Sequence, residues 1–225
     1  MSILKQLGGA VTEGKKERTV SRGSHPKILT DIYQEETNMV IWQRILSSTL
    51  TAQVSEILLS NAPLQIVKGV TPKSVLFDMQ QELGGLDCAK ELTENIAELV
   101  DMFCCLFELK RAGLRLTKLQ HPMCPRFHFD RVPCRLVTTY GGIGSQWLPH
   151  QLVDRCKLGA GNQGLSDELS GLYKNASNIK QLDCADVALL KGESWHGNEN
   201  AGLVHRSPAM HSAEKRLLLT LDFLA

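Results

Sequence analysis

The chain is poor in the features that decide a class early. It has almost no net charge: 25 Lys and Arg against 24 Asp and Glu leave +1 at neutral pH. A polyanion-binding surface needs a clustered basic excess, so neither nucleic acid nor an anionic membrane is an expected partner. It has no long apolar run either. Segments such as Val100–Leu109 are interrupted and too short to span a bilayer, and no continuous apolar stretch follows the first charges. A soluble, cytoplasmic protein is expected. A disulfide framework is also missing, because the seven cysteines (88, 104, 105, 124, 134, 156 and 184) are odd in number and irregularly spaced. That usage fits a reducing compartment. With 225 residues, 43% of them apolar and 22% charged, one well-filled core is expected.

What is present changes texture along the chain. Residues 1–26, rich in Gly, Ser, Thr, Lys and Arg, read as a mobile tail whose basic run Lys15-Lys16-Glu17-Arg18 is solvated. From 27 to 112 the periodicity is mainly helical. Asn38–Trp42 reads as a short strand, and Ser47 or Ser48 caps a helix running to Leu59. Thr71-Pro72-Lys73-Ser74 opens a short helix that Gly84-Gly85 ends. A long helix is expected over residues 87–110, with Leu92, Ile96, Leu99, Val100, Phe103, Leu106 and Phe107 as its apolar stripe. Cys104-Cys105 lies inside that stripe, and adjacent helical residues point about 100° apart, so the pair reads as core thiol and not as a chelate.

Beyond Gly113 the pattern becomes strand-like. Leu114–Leu119, Arg135–Tyr140, Asp186–Leu190, Leu203–Val204 and Leu217–Leu221 are short, rich in Leu, Val and Thr, and separated by Gly, Pro, Asn and Ser. The expectation is α+β: a helical N-terminal part packed on a jelly-roll or cupin-like core over 113–225. The polar stretch 152–179 has no phosphate-loop ending and is expected to be a lid over the mouth of the barrel.

The chemistry concentrates in Cys124-Pro125-Arg126-Phe127-His128-Phe129-Asp130. In an extended backbone residues i and i+2 share a side, so His128 and Asp130 converge where one cation can bridge them. His205, in Leu203-Val204-His205-Arg206, is the candidate third ligand. Two histidines and one carboxylate with open positions are what a non-haem Fe(II) oxygenase needs. Arg216, 11 positions later, opens a strand whose alternation puts it on one face with Leu218 and Thr220. A guanidinium there is suited to grip the distal carboxylate of a chelating keto acid.

The order of His-x-Asp, Thr138-Thr139-Tyr140-Gly141-Gly142, a distal His and then Arg resembles the 2-oxoglutarate/Fe(II)-dependent dioxygenases, whose fold is a double-stranded β-helix. Cys124–Asp130, Leu136–Pro149, Lys191-Gly192-Glu193-Ser194-Trp195 and Val204–Pro208 together are similar to the bacterial domain-of-unknown-function family 1826, over most of residues 28–225. The resemblance implies that His128, Asp130 and His205 hold Fe(II). It also implies that Arg216 binds 2-oxoglutarate, with Tyr140 or Thr220 adding a hydrogen bond, and that the substrate is a small molecule or a side chain. The rival is zinc. Cys124 and Cys134, with Cys156 further on, would build a thiolate site in a zinc-homeostasis protein without turnover. His121, His150, His196 and His211 sit in polar surroundings and are expected to be exposed.

Overall fold

In the computed structural model the described residues are 17–84 and 89–224, so residues 1–16 of the expected tail, with Lys15 and Lys16, lie outside them. In chain order the elements are strand β1 (Thr19–Gly23), a 3-10 helix (Pro26–Tyr33), β2 (Thr37–Trp42), helix α1 (Ser48–Leu59), β3 (Gln65–Val70), α2 (Val75–Leu83), α3 (Lys90–Leu106) and β4 (Ala112–Leu119). Then come β5 (Cys134–Gly141), β6 (Gln146–Leu148), β7 (Lys180–Gln181), β8 (Val187–Lys191), β9 (Val204–Arg206) and β10 (Arg216–Phe223).

The helices start where their caps allow. The Leu50 N–H donates to Ser47 Oγ at 3.0 Å, satisfying one of the free donors that opens α1. Thr71 and Ser74 exchange backbone-to-hydroxyl hydrogen bonds of 3.1 Å ahead of α2. Along α3, Leu92, Ile96, Leu99, Val100, Phe103 and Cys104 are buried, as expected of a core stripe, but Cys105, expected in the core beside Cys104, is exposed because adjacent helical residues point about 100° apart.

Seven strands form one sheet in the order β1-β2-β8-β5-β10-β4-β3, and three form a second in the order β7-β6-β9. An isolated antiparallel bridge between His128 and His205 extends the small sheet by one short segment. From β4 onward the chain passes back and forth: β4 in the large sheet, residue 128 against the small one, β5 large, β6 and β7 small, β8 large, β9 small and β10 large.

Side-chain alternation sorts the interior into three cores. Leu136, Tyr140, Val187, Leu189, Leu217, Leu219 and Leu221 turn to the helices. Val137, Ala188, Leu190 and Leu218 turn the other way, to meet Trp147, Leu182 and Leu203 between the sheets. Phe127, Leu148 and Val204, on the outer face of the small sheet, pack under Val153, Leu172 and Tyr173.

Several expectations change. Thr19–Gly23, assigned to the tail, pairs in parallel with β2. The region 27–112 is not a separate helical part, because β2 and β3 lie in the same sheet as β4, β5, β8 and β10. The stretch 152–179 is no lid: its 3-10 turns back the small sheet from outside through the third core.

Candidate metal centre

The space between the sheets is apolar through its middle and polar at its ends. At one end the backbones of His128 and His205 bond reciprocally, His128 N–H to His205 O at 3.0 Å and His205 N–H to His128 O at 2.9 Å. Directly paired residues point to one side, so both imidazoles and the opposite Trp147 face inward. The ring centroids of the two histidines are 4.6 Å apart. Their Nδ1 atoms sit against backbone carbonyls, His128 on Arg126 O at 2.9 Å and His205 on Leu203 O at 3.3 Å. A proton held at Nδ1 leaves the Nε2 lone pair free, which is how ligating histidines are oriented.

Those Nε2 atoms meet Asp130. Its Oδ2 lies 3.5 Å from His205 Nε2, and its Oδ1 lies 3.9 Å from His128 Nε2. One ligand atom from each of the three residues lies within 4.8 Å of the others, and among the described residues this is the group of His, Cys, Asp and Glu that is close enough to hold a metal ion. Burial pushes the His205 imidazole well below its ordinary value, against the pull of Asp130. The neutral ring is the form that binds metal.

The carboxylate is held from behind. Arg135 Nη1 donates to Asp130 Oδ2 at 2.8 Å, while its Nε and Nη2 donate to the two oxygens of Asp222 at 2.8 and 2.9 Å. The main chain around Asp130 is pinned as well: Glu193 N–H donates to Asp130 O at 2.9 Å and Gly192 N–H to Pro133 O at 2.8 Å. A Cβ at Gly192 would lie 1.9 Å from Val132 O, so only glycine allows that approach.

Arg216 occupies the far end of the same face of β10, 1% exposed. Its Nε and Nη2 donate to Thr139 Oγ1 at 3.2 and 2.9 Å, and Nη2 also donates to Ser145 Oγ at 2.7 Å. These partners are neutral. Burial pushes the guanidinium down to about 10, with no acid offsetting it. Gly142, at φ +88°, brings the chain to within a Cβ of Lys215 O and Arg216, fixing where the arginine emerges.

The other expected residues divide. Thr220 shares the inward face with Arg216 and Leu218 and is half-buried. Tyr140 does not reach this space. Its ring lies in the helix-side core and its hydroxyl donates to Asn95 Oδ1 at 2.9 Å, with burial pushing its pKa up to about 12. Cys134 also faces the helices, fully buried, and desolvation drives its thiol far above the ordinary range. Cys124 and Cys156 are exposed, and no thiol belongs to the metal-sized group. His150 is buried, contrary to expectation, whereas His121, His196 and His211 are exposed. Arg206 turns outward, as alternation required, to Asp167 at 3.2 Å and Glu168 at 3.1 Å. Sequence reasoning passed over Arg135, Thr139 and Ser145.

A model of a protein family described as "Protein of unknown function (DUF1826)" matches residues 23–222. The chain belongs to that family. No curated protein matches the DUF1826 chain. Among solved structures, it is similar to the dioxygenase for auxin oxidation from rice at 10% identity and a TM-score of 0.47, covering 93% of this chain and 83% of that one. It is also similar to the Arabidopsis thaliana dioxygenase for auxin oxidation 1 in complex with 2-oxoglutarate, at 11% identity and 0.49, covering 92% of each chain. A prolyl-4-hydroxylase from Pseudomonas putida aligns at 10% identity and 0.43, over 88% of this chain and 96% of that one.

Proposed function

We propose that this DUF1826 chain is a non-haem Fe(II)- and 2-oxoglutarate-dependent oxygenase built on a double-stranded β-helix. The observation that carries the reading is Arg216. Among the described residues this buried guanidinium is bonded only to hydroxyls and lacks the anion that would offset its desolvation, and it lies in the intersheet space that also holds His128, Asp130 and His205. The back-and-forth passage of the chain between the two sheets supports the fold name.

His128, Asp130 and His205 would hold Fe(II), two imidazoles and one carboxylate being a donor set suited to that ion with positions left open. Bound there, Fe(II) with its keto-acid co-substrate supplies the oxidising chemistry. The chain's own contribution is placement. Arg135 keeps one Asp130 oxygen engaged and so fixes how the carboxylate is turned. Arg216 takes the distal carboxylate of 2-oxoglutarate, held in aim by Thr139 and Ser145, with Thr220 on the same face. Val137, Leu218 and Trp147 keep water out of the space between. The Trp147 indole N–H, buried without a hydrogen-bond partner among the described residues, is a donor left over for a ligand. The substrate is a small molecule or a side chain.

The test is an anaerobic titration of metal-free protein with Fe(II) and then 2-oxoglutarate, following the weak visible charge-transfer band of a chelated keto acid. The band is expected in the wild type and lost in His128→Ala and Arg216→Ala. Its absence from the wild type, with zinc binding that releases thiol protons, would replace this reading by zinc handling through Cys124 and its neighbours.

A further inference from the structure

The opposite face of the large sheet carries a cluster that the metal centre does not use. Lys191 ends β8 there, paired in register with Cys134 and 1% exposed. Its amine donates to Gln34 O at 3.0 Å and lies 4.8 Å from the centroid of the Trp195 ring. Together with Tyr33, Glu35, Trp195, His196 and Asn198 it lines a cavity of 400 Å³. Arg18, 4% exposed, stands behind that wall and donates to Asn198 Oδ1 at 2.8 Å and to Gly197 O at 2.9 Å.

One buried cation therefore lines the cavity, and a second lies behind its Gly197–Asn198 wall. Among the described residues no carboxylate lies within 4.0 Å of either. Burial pushes the Lys191 amine down to about 8, and the charge of Arg18 pushes the same way, ahead of the weaker opposing pull of Glu36 and Glu35. If the side chain served only to satisfy Gln34 O, a neutral donor would do so without the desolvation penalty. An anion in the cavity would offset the Lys191 charge. The rest of the wall is part aromatic, with the Tyr33 and Trp195 rings 5.5 Å apart and tilted by 57°, and part polar, through Glu35, His196 and Asn198. A space of this size holds a small molecule.

We propose that the Lys191 cavity binds a small aromatic carboxylate, its carboxylate on the lysine amine and its ring against Tyr33 and Trp195. The site is separate from the metal centre, on the other face of the sheet, and does not depend on the oxygenase reading. The probe is benzoate, titrated into the full chain while Trp emission is followed, with benzamide as the neutral match. Benzoate is expected to give a saturable change and benzamide to bind about tenfold weaker or worse, since a charge-assisted hydrogen bond contributes more than a neutral one. Lys191→Met should weaken benzoate by about tenfold and leave benzamide unchanged. Arg216→Met should leave the benzoate curve unmoved, which separates this cavity from the intersheet guanidinium. Should Lys191→Met fail to fold, the wild type alone decides, because benzoate and not benzamide should raise its melting temperature. Equal binding of the two probes, benzoate binding that survives Lys191→Met, a curve that moves with Arg216→Met, or no saturable response would each overturn the proposal.

Discussion

Arg135 and Arg216 lie on neighbouring strands of one sheet, and both enter the space between the sheets, yet they are built for different work. Burial pushes the Arg135 guanidinium down, but the hydrogen bonds of Asp222 and the charge of Asp130 more than offset it, leaving its pKa raised. Arg216 has two hydroxyls, no acid and a lowered pKa. A cation with its counter-ions built in suits a structural role, whereas one buried without them suits the ligand-holding role proposed for Arg216. The contrast locates the two ends of the proposed site: metal beside the paired arginine, co-substrate carboxylate beside the unpaired one.

The largest expected effect is at the paired end. Asp130→Ala removes the one anionic ligand and leaves Arg135 with only Asp222, so Fe(II) affinity should fall by about 100-fold or more, measured by anaerobic competition with a chelator. Arg216→Met comes next. Losing a charge-assisted clamp should weaken 2-oxoglutarate by about 30-fold or more in the charge-transfer titration. The same variant should melt no lower than the wild type, because an uncompensated buried charge is gone. Arg135→Met should do the reverse. It leaves Asp130 and Asp222 as adjacent partly buried carboxylates, so the chain should lose about 2 kcal/mol in denaturant unfolding, a figure below that of fully buried pairs because the side chain is about a quarter exposed. If Arg216→Met destabilises as much as Arg135→Met, the distinction between the two arginines fails.

The convergence of His128 and Asp130 was legible in the sequence because its signals are local. His128 and Asp130 need only an extended backbone, and Arg216 needs only the alternation of its own strand. The helix start at Ser47 was equally readable, since a cap acts within four residues, whereas the second helix begins at Val75, after the Thr71–Ser74 turn expected to open it. Tyr140 went to the wrong face for a physical reason. β5 is buried on both sides, so Leu136 and Val137 are equally apolar and nothing in the strand fixes its parity. Cys134 was misplaced by the same ambiguity. Arg135 was missed because its meaning depends on Asp222, 87 positions away. β3 escaped because it is an edge strand, in which Ile66 and Val70 alone are buried and Lys68-Gly69 interrupts the pattern.

Lys191 extends the comparison to a third cation, buried like Arg216 with no acid partner among the described residues, and this time one that can lose its proton. The unfolded chain holds that proton to about pH 10.5, whereas the folded one releases it near 8. Between those values the unfolded state binds more protons, so this group makes stability rise with pH, by at most about 1.4 kcal/mol per pH unit. Cys134 and Tyr140, both raised, push the other way as their unfolded counterparts ionise. The lysine contribution is therefore read as wild type minus Lys191→Met, in denaturant unfolding at pH 7.5 to 10.5. A difference that stays flat across this range would place Lys191 with Arg135, among cations whose compensation is built in.

The smallest effect is expected one residue before Arg135. Cys134 and Arg135 are neighbours in β5, so their side chains leave opposite faces of the sheet, one toward the helices and one toward Asp130. Cys134→Ala should therefore cost about 1 kcal/mol through the small cavity it leaves, with Fe(II) and zinc affinities unchanged in the chelator competition. Loss of metal with the thiol would put the ligands on the helical face and detach the paired arginine from the site. Retention of metal, beside its loss in Asp130→Ala, ties the carboxylate to the cation and leaves the thiol to the core.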